Sequence, residues 1–178
     1  MTTNNNYRES SCHLIKSEAQ KTARSRMNKK VARANEWFRQ VIEGELGHEL
    51  ENIILQDLKI VKAQEGFIRC SYFVPVKLAD KDGNWEVGSI ASIIDNVGAV
   101  AIYSFSGHIK ASVDFTISFF STTKVQEEVE IEAKVAGERG QLTSVVVEVR
   151  KKDSGQLIAL GKQWMTSSNP GSRIVSKL

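Results

Sequence analysis

The longest apolar stretch of this chain, residues 88–105, has a carboxylate near its centre. Small and aliphatic residues recur there at helical spacing and cover almost the whole circumference, which predicts a buried helix. Asp95 lies seven residues after Gly88, well inside that helix and away from its capped end. Burying a carboxylate is costly unless it is paired or hydrogen-bonded. Two interpretations therefore stay open: backbone amides satisfy Asp95, or it is a functional acid.

Length and composition indicate one compact domain. The chain has 178 residues, of which 41% are hydrophobic and 25% charged, as in ordinary globular proteins. A net charge of +3 is too small to favour a nucleic-acid partner, and two cysteines do not make a disulfide framework. Asp95 and Asn96 in the middle of the apolar helix argue against a membrane span.

Hydrophobic periodicity predicts a helix, two strands, a second helix and then four strands. Residues 1–28 are polar and are expected to be a poorly ordered extension, 29–168 a single domain, and 169–178 a flexible tail. The predicted elements are a helix at 31–45, strands at 53–63 and 67–76, the apolar helix at 88–105 ending at Gly107, and strands at 110–119, 125–135, 142–150 and 156–166.

The strand at 110–119 alternates regularly, which places Ser112 on its polar side with Asp114, opposite Val113 and Phe115. Tight turns at residues 137–140 and 153–155 connect the later strands as antiparallel hairpins. One buried helix followed by an antiparallel meander predicts an α+β fold in which a sheet curls around that helix.

The last three residues of the sequence, Ser176, Lys177 and Leu178, form the tripeptide that the peroxisomal import receptor reads. The preceding residues 169–172 break any strand and leave a short tail that a receptor could grip. The expected location is therefore the peroxisome, with the import receptor as a partner.

Two motifs carry a family resemblance. Residues 83–96, Gly-Asn-Trp-Glu-Val-Gly-Ser-Ile-Ala-Ser-Ile-Ile-Asp-Asn, and residues 111–114, Ala-Ser-Val-Asp, resemble those of small hotdog-fold acyl-CoA thioesterases. The branch is the phenylacetate-degradation (PaaI-like) type, which includes acyl-coenzyme A thioesterase 13. The resemblance implies a hotdog fold, an antiparallel curved sheet wrapped around a long central helix. It also implies hydrolysis of acyl-CoA without a metal or a cofactor, since coenzyme A is part of the substrate, and assembly as a homodimer or homotetramer.

The resemblance assigns roles to the ends of the apolar helix. Thioester hydrolysis needs donors for the developing oxyanion and a base or nucleophile for the carbonyl carbon. The amide of Val87, helped by Gly88, would hold the thioester oxygen, and Asp95 would activate water or attack directly. Val87 and Asp95 are eight residues apart, about 12 Å along one helix, so one carbonyl cannot contact both. Two protomers must then share each site.

Further residues match family positions. By resemblance, Ser112 would orient the attacking water, and Ser121, Lys124 and Arg139 fall where relatives contact coenzyme A. Asp80 stands where the catalytic motif has asparagine, and Glu86-Val87 replace His-Gly.

Acids near an oxyanion would repel it, so a second function stays open: a catalytically weakened hotdog protein that binds acyl-CoA or a protein partner. A third, enoyl-CoA hydratase, has the same fold, but its Asp and His pair is not recognisable here.

Overall fold

The computed structural model describes residues 5–167. Its helices are α1 (Asn5–Ile42), α2 (Glu49–Leu55) and α3 (Val87–Ser106), with a 3₁₀ turn at Val76–Leu78. Its strands are β1 (Lys59–Gln64), β2 (Phe67–Phe73), β3 (Ala111–Phe119), β4 (Glu128–Arg139), β5 (Leu142–Lys151) and β6 (Leu157–Thr166).

The six strands form one antiparallel sheet in the order β1-β2-β4-β5-β6-β3. Strands β1 and β3 are therefore the edges. Strand β3 pairs with β6 along one side, and its other side carries backbone groups that have no neighbouring strand in the described chain.

The core lies between α3 and the concave face of the sheet. Ile93, Ile94 and Val97 of α3 are fully buried, as are Ile131 of β4 and Val147 of β5. Each such side chain contributes about 1.5–3 kcal/mol by leaving water. Helix α1 packs on α3 as well, through a buried stripe of Ala34, Phe38 and Val41, so α3 is enclosed between the sheet and α1.

Two glycines let α3 approach β6 closely. A Cβ at Gly161 of β6 would lie 2.3 Å from Ile94 Cγ2, and a Cβ at Gly98 of α3 would lie 2.7 Å from Gln163 Oε1. A larger residue at either position would therefore force a neighbouring side chain to move. This close approach places the middle of α3, with Asp95, within side-chain reach of β6.

The end of α3 is fixed as predicted. Gly107 takes the left-handed conformation (φ 85°), and its N–H donates to Tyr103 O at 2.8 Å. Lys30 Nζ also donates to Phe105 O at 2.9 Å. Among the described residues, α3 alone is long and apolar enough to span a membrane, but 61% of its most apolar window is buried inside the fold. It is the core helix of the domain.

The first third of the chain differs from its prediction. Helix α1 begins at Asn5 and not at residue 31, so it extends into the segment for which we expected poor order. The strand predicted at 53–63 is wrong in its first half, because Ile54 and Leu55 belong to α2. That helix begins at Glu49, and its third residue, Glu51, accepts from the N-cap His48 N at 2.9 Å. The tripeptide Ser176, Lys177 and Leu178 lies outside the described residues.

Candidate active site

Three side chains from three elements meet beside the middle of α3. Ser112 Oγ of β3 donates to Asp95 Oδ1 at 2.9 Å, and Gln163 Nε2 of β6 donates both to Asp95 Oδ1 and, at 2.8 Å, to Ser112 Oγ. We call these three residues the Asp95 cluster. Asp95 is half-buried, less than its apolar helix suggested, whereas Gln163 is only 1% exposed. The predicted pair of Asp95 and Ser112 is thus brought together, with a third partner.

A β-bulge turns Ser112 toward α3. Ser112 is opposite Met165 and Asp114 is opposite Trp164, so Val113 is an extra residue in β3. Met165 is buried on the helix side of the sheet, and Ser112 therefore faces the same way. The prediction that Ser112 shares the polar face of Asp114 is wrong, because strict alternation does not allow for the bulge.

The Asp95 carboxylate keeps one oxygen open. Both hydrogen bonds end on Oδ1, and within residues 5–167 no donor contacts Oδ2. A carboxylate held by one oxygen, with the other facing a half-exposed site, can accept a proton from water or contact an electrophilic carbon.

The start of α3 is capped by an acid. Glu86 accepts from Gly88 N and Ser89 N, each at 2.8 Å, and so satisfies two of the unpaired amides of the first turn. The Gly88 amide, expected to help hold the thioester oxygen, is therefore already occupied. The Val87 N–H is different: no acceptor for it is found among the described residues, and the Val87 side chain is exposed.

Asp80 closes the turn that leads into α3. Its carboxylate accepts from Asp82 N and Asn84 N, both at 2.8 Å. The bond from Asn84 N is the main cause that holds the pKa of Asp80 below its usual range. Asp80 therefore has a local structural role in a position where the family motif has asparagine.

The residues expected to contact coenzyme A separate into two places. Lys124 Nζ donates to Asp82 O at 2.9 Å in the turn before α3, and Ser121 Oγ donates to Leu157 O at 2.7 Å at the start of β6. Arg139 lies at the end of β4 that enters the hairpin to β5, at the opposite end of the sheet from Leu157. One protomer does not bring Arg139 beside the other two.

Other reactive groups are poorly suited to catalysis. Cys70 is a free thiol buried in the core, and burial raises its pKa to about 12, which disfavours the thiolate. In the part of the chain that the structure describes, no group of three His, Cys, Asp or Glu side chains could hold a metal ion.

Sequence reasoning missed two residues at this site. Gln163 could have been found from β6, where it follows Ala159 and Gly161 at every second position and is the polar residue on a buried face. Glu86 was noted only as a repulsive departure, although an acid immediately before an apolar helix is a typical N-cap.

Edge strand β3 carries exposed apolar side chains next to the Asp95 cluster. Val113, Phe115 and Phe119 are each more than one-third exposed, as is Phe120 just after the strand. An open strand edge lined with apolar side chains is typical of a surface that pairs with another strand.

Comparison with known proteins gives consistent matches. Residues 83–158 match the thioesterase superfamily. Human acyl-coenzyme A thioesterase 13 is 28% identical over 110 residues, which cover 61% of this chain and 79% of the human protein. Thioesterase superfamily member 2 of zebrafish superposes with a TM-score of 0.70 at 24% identity, covering 78% of this chain and 99% of its own. A Streptococcus mutans protein bound to acetyl-CoA gives a TM-score of 0.60 at 17% identity, covering 64% and 90%.

These matches confirm the predicted fold and resemblance. The matched segment includes α3 with Asp95 and β3 with Ser112, and the structural match covers 78% of the chain. The chain therefore has the hotdog fold, and its residues 83–158 match the thioesterase superfamily.

Proposed function

We propose that this protein hydrolyses acyl-CoA thioesters to a free acid and coenzyme A, in a site that two protomers share. The observation that carries the proposal is the Asp95 cluster, in which Ser112 and Gln163 hold one carboxylate oxygen and leave the other open. The thioesterase relatives and the Streptococcus protein bound to acetyl-CoA support the substrate class.

The proposed chemistry uses a general base. Asp95 Oδ2 takes a proton from water while the water oxygen bonds to the thioester carbonyl carbon. The resulting oxyanion accepts a hydrogen bond from Val87 N–H, at the positive end of the α3 dipole. The C–S bond then breaks, and the coenzyme A thiolate takes the proton back from the Asp95 carboxyl group.

A second protomer supplies the Val87 amide in this proposal. Val87 and Asp95 are eight residues apart on α3, about 12 Å, which is too far for one carbonyl group. Two copies that pair their β3 edges about a two-fold axis perpendicular to the strands would cover Val113, Phe115 and Phe119 and set one α3 beside the other. Such pairing would also place Arg139 of one copy near the start of α3 in the other.

The first test is thiol release from short, long and aromatic acyl-CoAs. The wild type is expected to turn over at least one class, and Asp95→Asn, which keeps the shape but not the base, to lower kcat by about 10²- to 10⁴-fold. Failure of the wild type to release thiol from any substrate would overturn the proposal.

The shared site has its own test by mixing two defective variants. Val87→Pro removes the proposed donor at the first helical position, where proline is tolerated and where Glu86 (ψ 133°) already has a compatible backbone. In co-expressed Asp95→Asn and Val87→Pro chains, each mixed dimer would have one intact site, so activity should recover to about one quarter of wild type. No recovery in mixed dimers would place the site within one protomer.

One observation favours a second function, binding of acyl-CoA without efficient hydrolysis. The Glu86 carboxylate occupies the Gly88 and Ser89 amides and puts negative charge where an oxyanion would develop. If this is the function, coenzyme A should bind by calorimetry without thiol release. The variant Asp80→Asn/Glu86→His/Val87→Gly should then gain hydrolysis, whereas a fall in wild-type turnover on the same changes would exclude this alternative.

A further inference from the structure

Gln163 is an unusual residue for the core of a sheet. Its side chain is 1% exposed on the helix side of β6, and its Oε1 is buried without a hydrogen-bond donor in the part of the chain that the structure describes. An unpartnered buried acceptor lowers stability. Because Oε1 lowers stability, the role of Gln163 is to be found in the contacts of its amide nitrogen, Nε2.

The other end of Gln163 contacts both polar residues of the site. Nε2 carries two hydrogens, and they reach Asp95 Oδ1 and Ser112 Oγ. The reverse orientation of the amide would set Oε1 against the Asp95 carboxylate, so two acceptors would repel each other. The carboxylate therefore selects the orientation in which the amide donates.

This orientation also determines where the Ser112 proton points. Because Gln163 Nε2 can only donate, Ser112 Oγ must accept from it, and the single hydroxyl proton of Ser112 is left for Asp95 Oδ1 at 2.9 Å. All three groups are then fixed relative to one another, and Asp95 Oδ2 is the oxygen left without a donor among the described residues.

The surrounding packing holds the amide in place. A Cβ at Gly98 would lie 2.7 Å from Gln163 Oε1 and 3.2 Å from Val145 Cγ1, so the amide lies against the α3 backbone. A side chain enclosed in this way loses no further conformational entropy when it orders its partners.

We propose that Gln163 is a positioning residue of the hydrolytic site: its amide directs the Ser112 proton to Asp95 and fixes which carboxylate oxygen reacts. The inference rests on the proposed thioester hydrolysis. Gln163 itself contacts neither the substrate nor the reacting water, and acts through Asp95 and Ser112.

The test is Gln163→Leu, which keeps most of the volume and removes both donors and the unpartnered acceptor. We expect kcat for the best acyl-CoA to fall about 10- to 100-fold, because a misplaced base costs that much, with KM within about threefold of wild type. The melting temperature should stay equal or rise, since a buried unpaired oxygen is removed. Met165→Leu is the matched control, a similar change on the same buried face of β6, and should leave kcat unchanged.

A second measurement separates positioning from a structural role. In an Asp95→Ala background, Gln163→Leu should change the residual rate by less than about twofold, because the group it positions is gone. An equal fractional loss in both backgrounds, or a falling melting temperature with a parallel rise in KM, would show a structural role and overturn the inference.

The outcomes also separate this inference from the function on which it rests. A wild type that is inactive on every acyl-CoA overturns both. An active wild type with Gln163→Leu within about twofold of it overturns the positioning role alone.

Discussion

Two polar clusters lie on the β3 side of the sheet, and they differ in how completely their hydrogen bonds are satisfied. In the second, which we call the Lys110 cluster, Lys110 Nζ donates to Thr143 Oγ1 at 2.6 Å, Glu138 Oε1 at 3.3 Å and Gln141 O at 3.4 Å. The Lys110 side chain is 2% exposed, and its three hydrogens have three acceptors.

The Asp95 cluster, in contrast, is incomplete. Asp95 Oδ2 and Gln163 Oε1 both lack a donor in residues 5–167. A fully satisfied cluster makes the fold more rigid, whereas the open Asp95 Oδ2 beside an exposed edge is available to a reactant. In this molecule, the buried charge of Lys110 belongs to a structural cluster, whereas the open carboxylate oxygen of Asp95 belongs to the candidate site.

The largest difference should come from removing the hydroxyl of the open cluster. Ser112→Ala is expected to lower kcat about 10- to 100-fold, because Asp95 loses a partner that orients it, while the melting temperature hardly changes at an exposed position. The measurement is acyl-CoA turnover with thermal unfolding on the same preparation. Unchanged turnover would contradict a functional role of the Asp95 cluster.

Removing the hydroxyl of the Lys110 cluster should lower stability and leave turnover unchanged. Thr143→Val keeps the shape but leaves a buried ammonium short of one acceptor, so the free energy of unfolding should fall by about 1–3 kcal/mol. Turnover should stay within about twofold of wild type because Thr143 is outside the proposed site. Denaturant unfolding measures the first quantity, and a stability equal to wild type would contradict the prediction.

Removing the Lys110 cation should lower the free energy of unfolding by less than removing the Thr143 hydroxyl. Lys110→Met keeps an apolar stem, and Glu138, whose side chain is 44% exposed, can return to water, so the expected loss is about 1 kcal/mol. In the double variant Lys110→Met/Thr143→Val, the loss in the free energy of unfolding should be smaller than the sum of the two single losses, because neither partner is left alone. Strict additivity would mean that the two groups do not interact.

The smallest effect concerns pH. The hydrogen bond from Lys110 is the main cause that lowers the pKa of Glu138. The Lys110–Glu138 pair therefore contributes to folding stability above the ordinary glutamate pKa, and this contribution is lost as pH falls through the lowered pKa. Between pH 7 and pH 3, the melting temperature of the wild type should therefore fall further than that of Glu138→Gln, which has no charge to lose. Parallel acid profiles would show that the ion pair contributes nothing.

Much of the fold followed from local patterns. The apolar run at 88–105 predicted α3 to within one residue at each end, and Gly107 predicted its cap. Three of the last four strands were predicted to within about one residue, and β4 was displaced by three or four, because tight turns and alternation define hairpins well. In contrast, α2 was predicted as strand, since a short apolar run such as Ile53 to Leu55 fits either element.

The site was only partly visible in the sequence. Asp95 and Ser112 came from an out-of-place charge and a family motif, but their contact depends on where β3 lies across the sheet from α3. The contribution of Gln163 required the register of β6, and the capture of the Gly88 amide by Glu86 required the helix start in three dimensions. These are properties of tertiary packing that no local pattern contains.

The extra residue at Val113 places Ser112 and Asp114 on opposite faces of the sheet, although they are two positions apart in sequence. Deleting that one codon would restore a regular strand in which Ser112 still pairs with Met165, so its hydroxyl would keep its direction toward the carboxylate. A strand that kept Val113 but lost the bulge would instead turn that hydroxyl away from α3, because regular alternation puts positions two apart on one face. Among descendants of this gene, a one-residue deletion at this point is therefore a change that the constellation can survive.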